Sequence, residues 1–275
     1  MITGGNSGIG SVAARVLAQA GAQVTIAVRD QAKGQQTASS IGGGVVVRAL
    51  DLADLDSVRA FAAEVTEPID VLINNAGVMA PPLGRTVQGF ETQFGVNHLG
   101  HFALTNLLLP MITDRVVSVA SGAHRRGHID LSDLNWERRS YERWAAYSQS
   151  KLANLLFILE LQRRLTAAGS PVRALAAHPG YAATNLQSHS GNVFMDRMMR
   201  LTNRIIAQSQ DMGALPIVYA ASQDLPGGSY VGPDRRSELR GSPTLVGRSA
   251  EASDAELAAA LWTASEELSG VTSPL

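Results

Sequence analysis

Met1-Ile2-Thr3-Gly4-Gly5-Asn6-Ser7-Gly8-Ile9-Gly10 opens the chain, and Val12, Ala13, Val16 and Leu17 follow it at helical spacing. Past Gly21 comes the β-rich run Val24 to Val28. The order is therefore glycine-rich turn, helix, strand. Glycines at such a turn let the backbone approach a pyrophosphate, whose charge is stabilised by the amides and dipole at the helix N-terminus. Alone, the turn is a weak signal, and the segments downstream give it context. A strand of about 5 or 6 residues normally delivers the chain to such a loop. Only Met1, Ile2 and Thr3 precede Gly4, so the first strand reads as truncated and the natural chain is expected to begin upstream.

Arg29-Asp30 ends the second strand, where the ribose of an adenosine would lie. An acidic side chain there accepts from a 2'-hydroxyl, whereas an arginine pairs with a 2'-phosphate. Val28 and Arg29 favour NADP, and Asp30 leaves NAD open. Gly42-Gly43-Gly44 marks a turn, Val45 to Leu50 a strand, and Asp51-Leu52 its end, where a cofactor base has room. Asp51 reads equally well as a cap for the next helix. The strand Val71-Leu72-Ile73 runs into Asn74-Asn75-Ala76-Gly77, small residues and carboxamides that suit a sheet edge crossed by cofactor. Phe94 to Leu109 reads as a helix stopped by Pro110. His98 and His101 lie three apart on it, but no acidic or Cys partner accompanies them, so no metal is expected. Val116 to Val119 is the next strand, ending at Ala120-Ser121-Gly122.

Tyr147-Ser148-Gln149-Ser150-Lys151 opens an apolar run at Leu152, Leu155, Leu156 and Leu159 whose spacing marks a buried helical face. Tyr147 and Lys151 then share one face, one turn apart. A free phenol ionises near pH ~10, and a fixed cation beside it favours the phenolate. The pair suits a tuned proton donor, although Tyr and Lys at this spacing are common on helices. His124 to Arg143 reads as a solvated, arginine-rich loop rimming the site. Val172 to Ala177 is a strand ending at His178-Pro179-Gly180. Residues 181 to 210, with Phe194, Met195, Met198 and Met199, suit a mobile lid over an apolar substrate or a plain surface helix. A helix from Met212 to Ser222, a short strand near Tyr230-Val231, loop over Arg235 to Arg248 and a helix from Ala255 to Leu268 complete the chain. Strands and helices alternate throughout, so the expected fold is α/β: one domain spanning residues 1 to 275, a Rossmann-type doubly wound parallel sheet with helices on both faces.

Composition narrows the function classes. The 275 residues are 45% hydrophobic and 17% charged, with a net charge of −1, which excludes a disordered chain and gives no basic footprint for nucleic acid. There is no cysteine for a disulfide framework or a thiolate metal site. No apolar run reaches the roughly 18 to 20 residues of a membrane span, and no signal-peptide pattern opens the chain. A cytoplasmic protein is expected.

Together these residues resemble the short-chain dehydrogenase/reductase family, and within it the retinol-dehydrogenase-like and WW-domain-oxidoreductase-like branch; the stretches AYSQSKLAN and NHLGHF are especially similar to that branch. The match covers nearly the whole chain, and the order and spacing of its motifs are highly specific. The resemblance implies a catalytic tetrad of Asn97, Ser121, Tyr147 and Lys151. It implies cofactor contacts from Gly4, Asn6, Ser7, Gly8, Ile9 and Gly10, from Asp51 and Leu52 at adenine, and from Arg29 at the 2'-phosphate. Asn75, Ala76, Gly77, Tyr147, Lys151, Pro179, Gly180 and Thr184 would complete the nicotinamide end. Ser121 and Tyr147 would polarise a carbonyl while Lys151 lowers the Tyr147 pKa and holds the nicotinamide ribose, supported by Asn97 through a water. Ala120 departs from the pattern, standing where many relatives have a second serine.

The leading expectation is an NADP-dependent carbonyl reductase or alcohol dehydrogenase acting on a lipophilic small molecule. A silent NADP(H) sensor on the same fold, or an epimerase or dehydratase using the same Tyr and Lys, are the alternatives. The intact tetrad speaks against the first, and the short length left for a substrate domain against the second. The helices around Phe94 to Leu109 and Tyr147 to Leu165 suit either pairing in a homo-oligomer or internal packing.

Overall fold

The computed structural model describes residues 1–181 and 209–275. Its strands are β1 (Ile2–Thr3), β2 (Thr25–Val28), β3 (Val46–Ala49), β4 (Ile69–Asn74), β5 (Ile112–Val119), β6 (Arg173–Ala177), β7 (Tyr230–Arg235) and β8 (Arg240–Leu245). They form one sheet in the order β3-β2-β1-β4-β5-β6-β7-β8. The order reverses beside β1, which places a cleft at the C-terminal ends of β1 and β4, where ligands of doubly wound sheets bind. Although β1 contributes two residues, it is flanked on both sides: Ile2 pairs with Ile26 and with Ile73.

Side chains of period two cover both faces of the sheet. Leu72, Val116, Ala174 and Ala176 join one apolar cluster, while Ile73, Val117, Val119, Leu175 and Ala177 join the other. The first face is covered by α3 (Leu55–Ala63), α5 (Gly100–Leu108), α6 (Arg143–Ala167) and α8 (Ala255–Ser269). The second is covered by α1 (Gly8–Gln19), α2 (Gln31–Ile41) and α7 (Gln210–Ser222). In α8, Trp262 stacks on Phe157 at 5.7 Å and meets Phe102 edge-on at 5.0 Å. Apolar faces of α5 and α6 are thus packed inside the described chain.

Three expectations are corrected. The sheet is parallel through β7, but the segment read as loop from Arg235 to Arg248 contains β8, which pairs antiparallel with β7. The helix expected from Phe94 to Leu109 is interrupted: a short α4 (Thr92–Phe94) passes into a π-helical turn, Gly95–Leu99, before α5 begins. The stretch from His124 to Arg143 is only partly solvated: its polar tips are exposed, but several of its side chains are anchored in the core. His124, Ile129, Leu134 and Trp136 are buried, and Arg139 lies over the Trp136 ring at 3.8 Å. Polar side chains hold it: Tyr141 Oη donates to Glu91 Oε1 at 3.0 Å, and Gln149 Nε2 donates to the Leu134 carbonyl at 2.9 Å. Of the expected lid over residues 181–210, positions 182–208, including Thr184, lie outside the described residues.

Candidate active site

The ends of β1 and β4 are joined through Thr3. Its Oγ accepts from the Asn75 and Ala76 amides, both at 2.9 Å, and Asn75 Nδ2 returns a bond to the Thr3 carbonyl at 2.8 Å. Gly4 follows at φ +66, and a Cβ there would lie 2.9 Å from Ala76 Cα. Gly8 also has positive φ. At the start of α1, Ser7 is extended and its side chain makes no capping hydrogen bond. The first helical amides therefore lack a side-chain acceptor, and the glycines leave backbone open toward them. A pyrophosphate fits this cradle, with Gly4 to Gly10 around it.

At the adenosine end, Asp30 caps α2 by accepting from the Lys33 amide at 2.9 Å. Arg29 is exposed and makes no hydrogen bond or ion pair among the described residues. Asp51 does not cap α3; Asp54 does, accepting from the Asp56 amide at 3.0 Å. Asp51 instead accepts from the Ala53 amide at 2.9 Å in a tight Asx turn. Leu52 is buried, and its carbonyl leaves no room for a side chain at Gly100.

The catalytic candidates lie where β4 and β5 end. Asn97, within the π-helical turn, is fully buried. Its Oδ1 accepts from the Val78 amide at 2.8 Å, and its Nδ2 donates to the Val78 carbonyl and to Ser150 Oγ, both at 2.9 Å. Widened turns of this kind recur at functional sites because they re-aim one residue without ending the helix. Gly77 is the common neighbour: a Cβ on it would lie 3.0 Å from Asn97 Oδ1 and 3.7 Å from Lys151 Nζ. Asn97 therefore stands beside Lys151 without a direct bond to it.

Lys151 is buried and donates from Nζ to the Val119 carbonyl at 2.9 Å, an acceptor it shares with Asn154 Nδ2 at 3.2 Å. Burial brings its ammonium down to about 8. Tyr147, half-buried one turn earlier, holds its ring centroid 5.7 Å from that Nζ. Burial pushes its phenol up from the ordinary value, and the Ser121 side chain pulls the other way. The lowering expected from Lys151 is not seen in this structure, where burial of the phenol dominates and one of the three ammonium protons is given to the Val119 carbonyl. Ser121 stands at the end of β5, where it accepts from the Ala123 amide at 3.2 Å and begins a short 3-10 turn. Ala120, one residue before it, is buried and donates its amide to the Ala177 carbonyl at 2.8 Å.

At the opposite lip, Pro179 and Gly180 are half-buried, and Gly180 has φ +65. A Cβ on Gly180 would lie 2.5 Å from the Leu239 carbonyl, in the hairpin between β7 and β8. That hairpin reaches back across the site: Glu238 accepts from Arg125 Nη2 at 2.8 Å and lies 3.2 Å from His178 Nε2.

Sequence reasoning missed His101. Its Nε2 lies 2.9 Å from Thr3 Oγ and its Nδ1 3.1 Å from the Asn97 carbonyl. The signal was there, since Asn97 and His101 are four apart. His98, whose spacing from His101 raised the metal question, instead packs on Phe94 at 5.1 Å and bonds Ser265 Oγ at 2.8 Å. Among the described residues no cluster of three or more metal-ligating side chains occurs.

A glycine cradle at the β1 edge, with a serine, tyrosine and lysine gathered at β5 and α6, belongs to one class of oxidoreductase. The short chain dehydrogenase family model matches residues 1–192, and the chain belongs to that family. Human retinol dehydrogenase 13 is 42% identical, over 100% of this chain and 85% of that protein. Mouse polyprenol dehydrogenase is 40% identical, over 98% of this chain and 83% of that protein. An uncharacterised protein from Mycobacterium paratuberculosis, solved by crystallography, is 58% identical with a TM-score of 0.87, covering 100% of this chain and 94% of that one.

Proposed function

We propose that the chain transfers hydride between NADP and a lipophilic carbonyl or alcohol, with Tyr147 as proton donor in reduction and proton acceptor in oxidation. The observation that carries this reading is the gathering of Ser121, Tyr147 and buried Lys151 on the sheet edge that also bears the uncapped start of α1. When bound, the nicotinamide supplies or takes the hydride. Ser121 donates to the substrate carbonyl oxygen and holds it beside the Tyr147 phenol. Tyr147, kept protonated by its burial, gives its proton to that oxygen as negative charge develops there. The Lys151 ammonium stabilises the phenolate that remains, and Asn97 holds the Val78 backbone beside it.

The finer choices rest on two side chains. Arg29 has no partner among the described residues while Asp30 is engaged as a helix cap, which favours a 2'-phosphate over a bare 2'-hydroxyl. Trp144, 47% exposed, sets its indole edge-on to Tyr147 at 6.2 Å, offering an apolar wall to the substrate. The names of two relatives of similar identity, retinol and polyprenol dehydrogenase, share a lipophilic alcohol and differ in which one. Titration with NADPH and NADH, followed by turnover against lipophilic aldehydes and ketones, tests the reading. NADPH is expected to bind more tightly and Arg29→Ala to erase most of that preference. Tight binding without turnover on a broad panel would point instead to a silent NADP(H) sensor.

A further inference from the structure

We propose that His101 is a positioning residue that locks the cofactor loop to the Asn97 turn, so that the two act as one unit. The inference rests on the reading of Asn97 and the glycine loop given above. The proton count around Thr3 fixes the direction of the network. Thr3 Oγ has two lone pairs, and the Asn75 and Ala76 amides approach it at 2.9 Å each. A hydroxyl so occupied has only its own proton left to offer. The alternative acceptor, the Ile73 carbonyl, stands at 3.5 Å, whereas His101 Nε2 stands at 2.9 Å. His101 Nε2 is therefore the acceptor, and the neutral ring carries its proton on Nδ1, which donates to the Asn97 carbonyl at 3.1 Å. Burial agrees with a neutral ring, bringing this imidazole down to about 4.

The connection closes on itself. Thr3 holds Asn75 and Ala76, Asn97 holds Val78, and His101 joins the two grips from behind. Movement of Gly4, next in the chain to Thr3, is thereby coupled to the turn that carries Asn97. A ring with one donor and one acceptor at fixed separation does this; a side chain that only fills the space does not.

Three variants separate the link from packing. Asparagine places an N–H near the position of Nδ1 and no acceptor near that of Nε2, so His101→Asn keeps the Asn97 contact and loses Thr3. Thr3→Val removes the hydroxyl at constant shape, and Thr3→Ser retains it. His101→Asn is expected to weaken NADPH binding and to lower kcat by roughly 10- to 100-fold, with the carbonyl KM unchanged. Thr3→Ser should stay near wild type, and the double variant Thr3→Val/His101→Asn should be little worse than the poorer single variant. Effects that multiply, or a folded His101→Asn with unchanged NADPH affinity and kcat, would overturn the proposal. Nitrogen chemical shifts of His101 in the wild-type protein give a readout independent of folding variants and of turnover. Protonation at Nδ1 alone is expected, and an Nε2–H tautomer or an imidazolium would contradict it. Tyr147→Phe run in parallel distinguishes the two readings: retained turnover there would remove the catalytic assignment, while the tautomer and the NADPH coupling still decide the role of His101.

Discussion

Gly10 of α1 faces the Asn75 carboxamide so closely that a Cβ on it would lie 2.3 Å from Nδ2 and 2.7 Å from the Gly4 carbonyl. The first helical turn and the loop after β4 can approach only because this position has no side chain. Gly10→Ala is expected to destabilise the fold by about 1 to 3 kcal/mol and to weaken NADPH binding, because relieving the overlap displaces the cradle. Thermal unfolding with and without NADPH checks both effects. An alanine variant with unchanged melting and affinity would show that the close approach is not needed.

Lys151 is an ammonium kept out of water for a reason other than stability. Its proton is held below about pH 8 in the fold, against the ordinary 10.5 of an exposed lysine. Between those values the unfolded chain binds more protons, so stability should rise with pH across that window. Lys151→Met removes the buried charge and is expected to raise stability at pH 7 by on the order of 1 kcal/mol while abolishing most turnover. Paired denaturation and activity measurements test this, and a variant that is both less stable and fully active would contradict it.

Trp144 is exposed beside Tyr147 and contributes little to the core, so its removal separates substrate binding from folding. Trp144→Ala should raise KM for bulky apolar carbonyls roughly 3- to 10-fold, with NADPH affinity and melting temperature unchanged. Equal KM values for wild type and variant across small and bulky substrates would remove the indole from the substrate wall.

Four buried histidines set an acid limit, His124 being lowered by burial like the other three. Burial brings His98 down to about 3, and His101 and His178 to about 4. Unfolded histidines take up protons below about 6.5, so between roughly pH 6.5 and 4 the unfolded state binds more protons and stability falls as pH falls. Each contributes up to about 1.4 kcal/mol per pH unit within its window. Urea midpoints from pH 7 to pH 4.5 should drop steadily, and His98→Phe, which removes one of these groups, should flatten the slope. A pH-independent midpoint would show that these rings are not buried neutral.

Much of this site was legible because it depends on local pattern. The spacing from Tyr147 to Leu159 declares a helix, and the alternation of strand and helix places Ser121 and Asn75 at one sheet edge. What was not legible depends on partners distant in sequence. The five-residue turn that presents Asn97 has no periodicity of its own to announce it. β8, Arg-Gly-Ser-Pro-Thr-Leu, is a weak strand former that exists because β7 offers it an edge. The stretch from His124 to Arg143 is polar in composition, yet Glu91, Gln93 and Gln149 meet Tyr141 and Arg139 and anchor that part of it against the body. His101 carried no role in the sequence, where only its spacing from His98 was in view; its partner Thr3 lies 98 residues away.

In the proposed reaction Tyr147 moves the proton while NADP carries the hydride. Tyr147→Phe removes one hydroxyl and leaves the glycine cradle, Arg29 and Lys151 in place. NADPH affinity, followed by nicotinamide fluorescence, is expected to stay at the wild-type value, while the rate of NADPH oxidation with a lipophilic carbonyl falls by roughly 10² to 10⁴. Tyr147→Phe protein that oxidises NADPH at the wild-type rate would contradict the assignment of Tyr147 as proton donor.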